Sequence, residues 1–243
     1  MTVTVHIEAD APAVARRAAA VVLGDLAGRQ EYTLGVATGS SPSGLYRELA
    51  DAVSREPNLF YKVRAVALDE YVGLAPEDPR SYHATVRAEV VEPLRFDPAL
   101  VRVPRGSARP EDYDGAIARD GGVDLQILGI GSNGHIAFNE PGSPHDSQTR
   151  VVALTEETRR DNARFFDRAE QVPTHAVTQG IGTVLRARRL LLIAQGAGKA
   201  AAVAAALEGP VTEDLPGSAL QRHPDVTVVL DPEAAARLGA HRS

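Results

Sequence analysis

Tyr32-Thr33-Leu34-Gly35-Val36-Ala37-Thr38-Gly39-Ser40-Ser41-Pro42 runs from an apolar stretch straight into small residues and hydroxyls. Tyr32 to Ala37 reads as a buried strand, and Gly44 to Ser54 behind it as a helix. The same order recurs on both sides. Val3, Val5 and Ile7 alternate as a first strand, and Asp10 followed by Pro12 marks the N-cap and first turn of an Ala-rich helix running toward Gly28. Val63 to Leu68 reads as the next strand and Ser81 to Val91 as the next helix. Repeated strand-then-helix units place the chain in the α/β class, with an open, mostly parallel sheet and helices on both faces.

The second half continues the pattern. A short helix precedes the strand Val123 to Ile130, and a long polar loop then leads to a charged segment from Thr155 to Glu170. Thr174 to Ala187 is predicted helical, Leu190 to Ala194 a strand, Gly198 to Leu207 an Ala-rich helix, and Val226 to Leu230 a last strand before a C-terminal helix. No internal repeat or linker divides the chain, so residues 1–243 are expected to form a single domain.

Composition narrows the function. The 243 residues are 44% hydrophobic and 24% charged, with 26 basic against 32 acidic side chains and a net charge of −6. This is ordinary globular composition, unlike fibrous or disordered chains. Zero cysteines exclude disulfides, thiolate catalysis, zinc-thiolate sites and iron-sulfur clusters. The acidic balance, absent Trp and few aromatics argue against nucleic-acid binding. No apolar run reaches the ~20 residues of a membrane span, and Met1 to Asp10 lack a basic start before an apolar stretch; the expected location is cytoplasmic.

Ligands of open parallel sheets bind beyond the carboxyl ends of the strands. There stand Thr38-Gly39-Ser40-Ser41-Pro42, Asp69-Glu70-Tyr71, Gly131-Ser132-Asn133-Gly134-His135 and Gln195-Gly196-Ala197-Gly198-Lys199. The first suits backbone N–H groups converging on a phosphate, or else a capped strand-to-helix turn. It lacks a Walker lysine and the Gly-x-Gly-x-x-Gly spacing, so nucleotide binding is not indicated. Lys199 sits in the first turn of a helix, a poor match to the dipole unless an anion lies between them; the alternative is a solvated surface lysine. His135, with Glu140 after it and Asn133 before it, has the makings of an acid/base centre, since a side-chain oxygen on one ring nitrogen frees the other. The same histidine is otherwise a structural residue, or a metal ligand with Glu140 and Asp69. Asp69 emerges from an apolar strand, where burial raises a carboxylate's pKa and makes it a usable base; capping of the next loop is the plain alternative.

At these residues the chain resembles the glucosamine-6-phosphate deaminase family. The resemblance rests on Leu34 to Pro42, Leu68-Asp69-Glu70-Tyr71-Val72-Gly73-Leu74, Gly134-His135-Ile136-Ala137-Phe138-Asn139-Glu140-Pro141, Thr158 through Phe166, and Ser218 to Pro224. It spans about Tyr32 to Leu230. It implies a Rossmann-like fold with a mobile lid over about residues 150–179, and conversion of D-glucosamine 6-phosphate and water to D-fructose 6-phosphate and ammonia in amino-sugar catabolism, with no cofactor or metal.

By the same resemblance His135, Asn133 and Glu140 open the sugar ring and Asp69 moves a proton from C2 to C1. Thr38, Gly39, Ser40, Ser41, Arg164 and Lys199 then hold the phosphate. Asn133 stands where many members carry Asp, and Ser41 where Thr is common. Arg150 matches an effector-site position of hexameric members, but Val152 replaces a basic residue and the chain lacks the longer tail. Weak or absent activation by N-acetylglucosamine 6-phosphate and a monomer or small homo-oligomer are therefore expected. The alternatives are a galactosamine-6-phosphate deaminase, a 6-phosphogluconolactonase, whose relatives share the fold and a Gly-His element, and a non-catalytic sugar-phosphate sensor.

Overall fold

The computed structural model describes residues 2–105, 109–163, 166 and 168–239. Its strands are β1 (Thr2–Ile7), β2 (Thr33–Val36), β3 (Arg64–Ala67), β4 (Asp69–Tyr71), β5 (Val101–Arg102), β6 (Leu125–Leu128), β7 (Arg150–Ala153), β8 (His175–Thr178), β9 (Arg189–Ala194) and β10 (Asp225–Leu230). Seven form one sheet in the order β1-β10-β9-β6-β2-β3-β5, with every neighbouring pair parallel. Its central strands β2 and β6 are buried along their whole length, which explains why they are mostly apolar, with Thr33 and Gln126 as buried polar members. The remaining three make a small antiparallel sheet, β4-β8-β7.

The first helix, Ala11–Leu26, begins as its sequence indicates: Asp10 Oδ1 accepts from Ala13 N at 2.8 Å, with Pro12 in the first turn. The second, Ser40–Arg55, starts four residues earlier than expected from Gly44, so Ser40 and Ser41 form its first turn. Ser81 caps the helix Tyr82–Val86, and the chain continues as a π-helix through Arg87–Val91. Among the described residues no helix is long and apolar enough to cross a membrane.

One segment departs from the sequence reading. The helix expected over Thr174 to Ala187 is instead strand β8 followed by a short helix, Ile181–Val184. The β-branched Val177 and Thr178 suit a strand, which pairs with β4 and β7, and Gly180 and Gly182 disfavour a long helix. Gly180 then brings the chain against its neighbour so closely that a Cβ there would meet Ser147 O at 2.2 Å.

Stability concentrates at the amino ends of the parallel strands, away from the rim where ligands bind. The buried Asp25 carboxylate accepts from Tyr32 Oη (2.7 Å), Arg29 Nη2 (3.2 Å) and Arg189 Nη1 (2.8 Å). Asp124, also buried, accepts from Thr33 N (2.8 Å), from Arg29 Nη1 (3.1 Å) and from Arg188. These two carboxylates tie together the starts of β2, β6 and β9. Asp25→Ala strands the Tyr32 hydroxyl and removes one partner each from two arginines that still reach water. A loss of about 3 kcal/mol in urea unfolding is expected, the low end for a broken buried pair. A loss below about 1 kcal/mol would show the network behaving as a surface one.

Candidate active site

At the opposite end of the sheet, beyond the carboxyl ends of β2, β3, β6 and β9, lies a cleft of about 200 Å³. Thr38, Gly39, Ser40, Ser41, Asp69, His135 and Lys199 all line it. Asn133 and Glu140 stand behind His135, and Arg164 lies outside the described residues.

The hydroxyl loop is held at its root, where the buried Tyr46 hydroxyl bonds both Ala37 N (3.1 Å) and Ala37 O (2.8 Å). Gly39 follows at φ 99°, ψ −176°, a conformation that L side chains rarely adopt. It serves as N-cap of the helix Ser40–Arg55 without a side-chain cap, and Gly39, Ser40 and Ser41 at that helix start line the cleft, where a helix N-terminus suits an anion. Lys199 adds a cation on the far wall. Its own helix start is occupied differently from the sequence reading: Gly196 N donates to Asp231 Oδ2 (2.9 Å) and Ala197 N to Glu233 Oε2 (3.2 Å). The anions facing that helix end are the protein's own carboxylates.

Asp69 stands at the switch from one sheet to the other. β3 ends at Ala67, and Asp69 opens β4 opposite Thr178 of β8. Strand alternation turns the adjacent acids in opposite directions. Glu70 accepts from the backbone N–H groups of Tyr71 (2.7 Å), Tyr82 (2.9 Å) and His83 (2.7 Å), capping the helix that starts there. Asp69 instead reaches the cleft while 6% exposed, and among the described residues no group donates a hydrogen bond to its carboxylate. Burial first, and the Glu70 charge second, push its pKa up to about 8.

Around His135 the side chains are arranged differently from the simplest reading of the motif. Asn133 Oδ1 accepts from the His135 backbone N (3.1 Å) and Asn133 Nδ2 donates to Glu140 Oε2 (2.8 Å), so the amide orients the loop and the glutamate. Glu140 Oε2 is the oxygen beside the ring, 3.7 Å from His135 Nδ1. Glu140 Oε1 accepts from the hydroxyls of Thr158 and Thr155 (3.3 Å for the latter). The imidazole lies over Gly131, where a Cβ would come within 2.3 Å of the ring. Buried Asn139 fixes the next turn, donating to Ile136 O (3.1 Å) and Gln179 O (2.8 Å) and accepting from Arg150 Nη1 (2.8 Å). Arg150 thus has an internal partner.

Sequence reasoning assigned no role to Tyr82, Phe138, Thr158 or Asn162, which complete the cleft wall. Tyr82 and Phe138 stack at 5.8 Å with planes 3° apart. Phe138, Thr158 and Asn162 fall inside stretches that carry the family resemblance, which was the available signal. Tyr82 follows a helix cap, and nothing in the spacing marks it. Among the described residues no cluster of three or more His, Asp or Glu side chains is placed to hold a metal ion.

The family model described as glucosamine-6-phosphate isomerases/6-phosphogluconolactonase matches residues 7–229. A glucosamine-6-phosphate deaminase of Corynebacterium aurimucosum is 52% identical over 232 residues, spanning 93% of this chain and 91% of that protein. Another, of Streptomyces avermitilis, is 53% identical over 226 residues, spanning 90% and 87%. Among solved structures, a monomeric glucosamine-6-phosphate deaminase superposes with a TM-score of 0.91 at 39% identity, covering 98% of this chain and all of that one (100%). The 6-phosphogluconolactonase of Trypanosoma brucei shares the fold alone, at 19% identity and a TM-score of 0.77 over 98% of this chain and 99% of that one. The chain belongs to the glucosamine-6-phosphate isomerase/6-phosphogluconolactonase family.

Proposed function

We propose that this protein converts D-glucosamine 6-phosphate and water to D-fructose 6-phosphate and ammonia. The observation that carries the reading is the meeting, in one cleft, of a buried carboxylate with a raised pKa (Asp69), a histidine backed by a glutamate, and a hydroxyl loop facing a lysine. The deaminases at about half identity support it, whereas the lactonase likeness is confined to fold.

The phosphate is held by the Thr38–Ser41 amides and hydroxyls, with Lys199 and Arg164 supplying positive charge. His135 moves a proton from the anomeric hydroxyl to the ring oxygen, opening the sugar, with Glu140 supporting the imidazolium and Asn133 fixing Glu140. Asp69 then takes the C2 proton while the aldehyde oxygen gains the one the substrate's ammonium group gives up, forming an enolamine, and Asp69 returns its proton to C1. The resulting C2 imine adds water and expels ammonia. The sequence is redox-neutral and the proton on Asp69 is recycled, so no cofactor enters. The lid that the family resemblance implies over about residues 150–179 keeps water from the enolamine. The protein acts as a monomer, as does its 39%-identical structural relative.

Purified protein supplied with glucosamine 6-phosphate and a chelator should release ammonia and fructose 6-phosphate in equal amounts. Tight binding without either product would reject the enzyme and favour a sugar-phosphate sensor.

A further inference from the structure

We propose that Thr158 is a positioning residue for ring opening, its hydroxyl fixing Glu140 so that the other carboxylate oxygen faces the His135 ring. The inference rests on the role assigned above to His135 and Glu140.

A carboxylate beside a histidine has two oxygens and a freely turning terminal bond, so something must decide which oxygen meets the ring. Here the two oxygens are divided. Oε1 is taken by the hydroxyls of Thr158 and Thr155, and Oε2 receives the Asn133 amide and stands 3.7 Å from His135 Nδ1. Thr158 is 5% exposed, and its backbone N donates to Thr155 Oγ1 (3.1 Å), the N-cap of the helix Glu156–Asn162. The helix start therefore holds the backbone that carries this side chain. That helix lies between β7 and β8, so the contact joins it to the residue behind the histidine. Among the described residues, His135 is the titratable group placed against Glu140.

Thr155 is unsuited to a test because its hydroxyl also caps the helix. Thr158→Val keeps the branched shape and removes the donor, and Thr158→Ala, favoured within a helix, is the second variant should valine disturb folding. Thr158→Ser retains the hydroxyl. Loss of the donor should lower kcat on glucosamine 6-phosphate about tenfold or more. Affinity for an open-chain amino alditol phosphate, which needs no ring opening, should stay within about twofold, since the anion-holding groups are untouched. Serine should restore most of the rate. With deuterium at C2, the isotope effect on kcat in the valine and alanine variants should be no larger than in the wild type, because the slowed step precedes C2–H cleavage.

Wild-type kcat in both donor-less variants, an isotope effect that grows as the rate falls, or failure of serine to restore the rate would each overturn the proposal. An inactive wild type would overturn the deaminase reading and this inference together, whereas an active wild type with indifferent variants overturns the inference alone.

Discussion

Asp69→Asn should lower kcat by about a hundredfold to ten-thousandfold, the range associated with a positioned general base. The amide preserves the shape of the carboxyl but does not accept the C2 proton. The Thr38–Ser41 loop and Lys199 are unaltered, so affinity for the open-chain amino alditol phosphate should remain within about twofold of wild type. Unchanged turnover would remove Asp69 from the mechanism.

The same substitution should reveal what the base costs the fold. Burial pushes the Asp69 pKa up to about 8, from an ordinary carboxyl value of 3.8. Across that window the folded protein keeps a proton that the unfolded chain has released. Stability contributed by the protonated carboxyl is fully present below the unfolded value and is lost as pH rises, by about 1.4 kcal/mol per unit until the folded pKa is passed. Asparagine carries no titrating group. The stability of Asp69→Asn relative to wild type should therefore grow between pH 5 and pH 8 in paired urea titrations, and a difference independent of pH would contradict the raised pKa. Activity runs the other way: wild-type kcat/KM should climb toward about pH 8 as the base ionises.

The sheet was legible where strands are buried on both faces. Leu34, Val36, Ile127 and Leu192 are each 0% exposed, and that environment leaves mostly apolar runs without the regular polar alternation of a half-exposed strand. The small antiparallel sheet was not. β4 is Asp-Glu-Tyr, three residues whose strand character comes from a partner more than a hundred positions away, and the strand signal of β8 is confined to two β-branched residues, Val177 and Thr178. The site followed the same division. Asp69, His135, Lys199 and the Thr38–Ser41 loop were found because the carboxyl ends of parallel strands are where ligands bind, a rule that uses sequence position alone. What each side chain touches was harder to read. Asn133 suggested an oxygen on the imidazole, but both its polar atoms are used elsewhere, because a backbone N–H two residues on and a glutamate seven residues on lie within its reach. Thr158 meets Glu140 across 18 positions of sequence, a contact with no local pattern.

Gly131→Ala should abolish most ring opening without unfolding the protein. The added methyl would lie 2.3 Å from Cε1 and 2.4 Å from Nδ1 of His135, too close for either atom to stay. What it meets is the tip of a side chain, which turns aside more readily than backbone does. Stability should change by about 1 kcal/mol or less, within the range of ordinary substitutions. The displaced ring loses its place 3.7 Å from Glu140 Oε2 and its path to the sugar oxygens. A fall in kcat of about a hundredfold is expected, with an isotope effect from C2 deuteration no larger than in the wild type. Gly180→Ala supplies the contrast, because there the methyl meets Ser147 O and C at 2.2 and 2.3 Å, backbone atoms with nowhere to turn. It should destabilise by about 1–3 kcal/mol, as overpacking does. If Gly131→Ala kept wild-type kcat, the imidazole would not need its place over Gly131, and ring opening by His135 in this position would have to be given up.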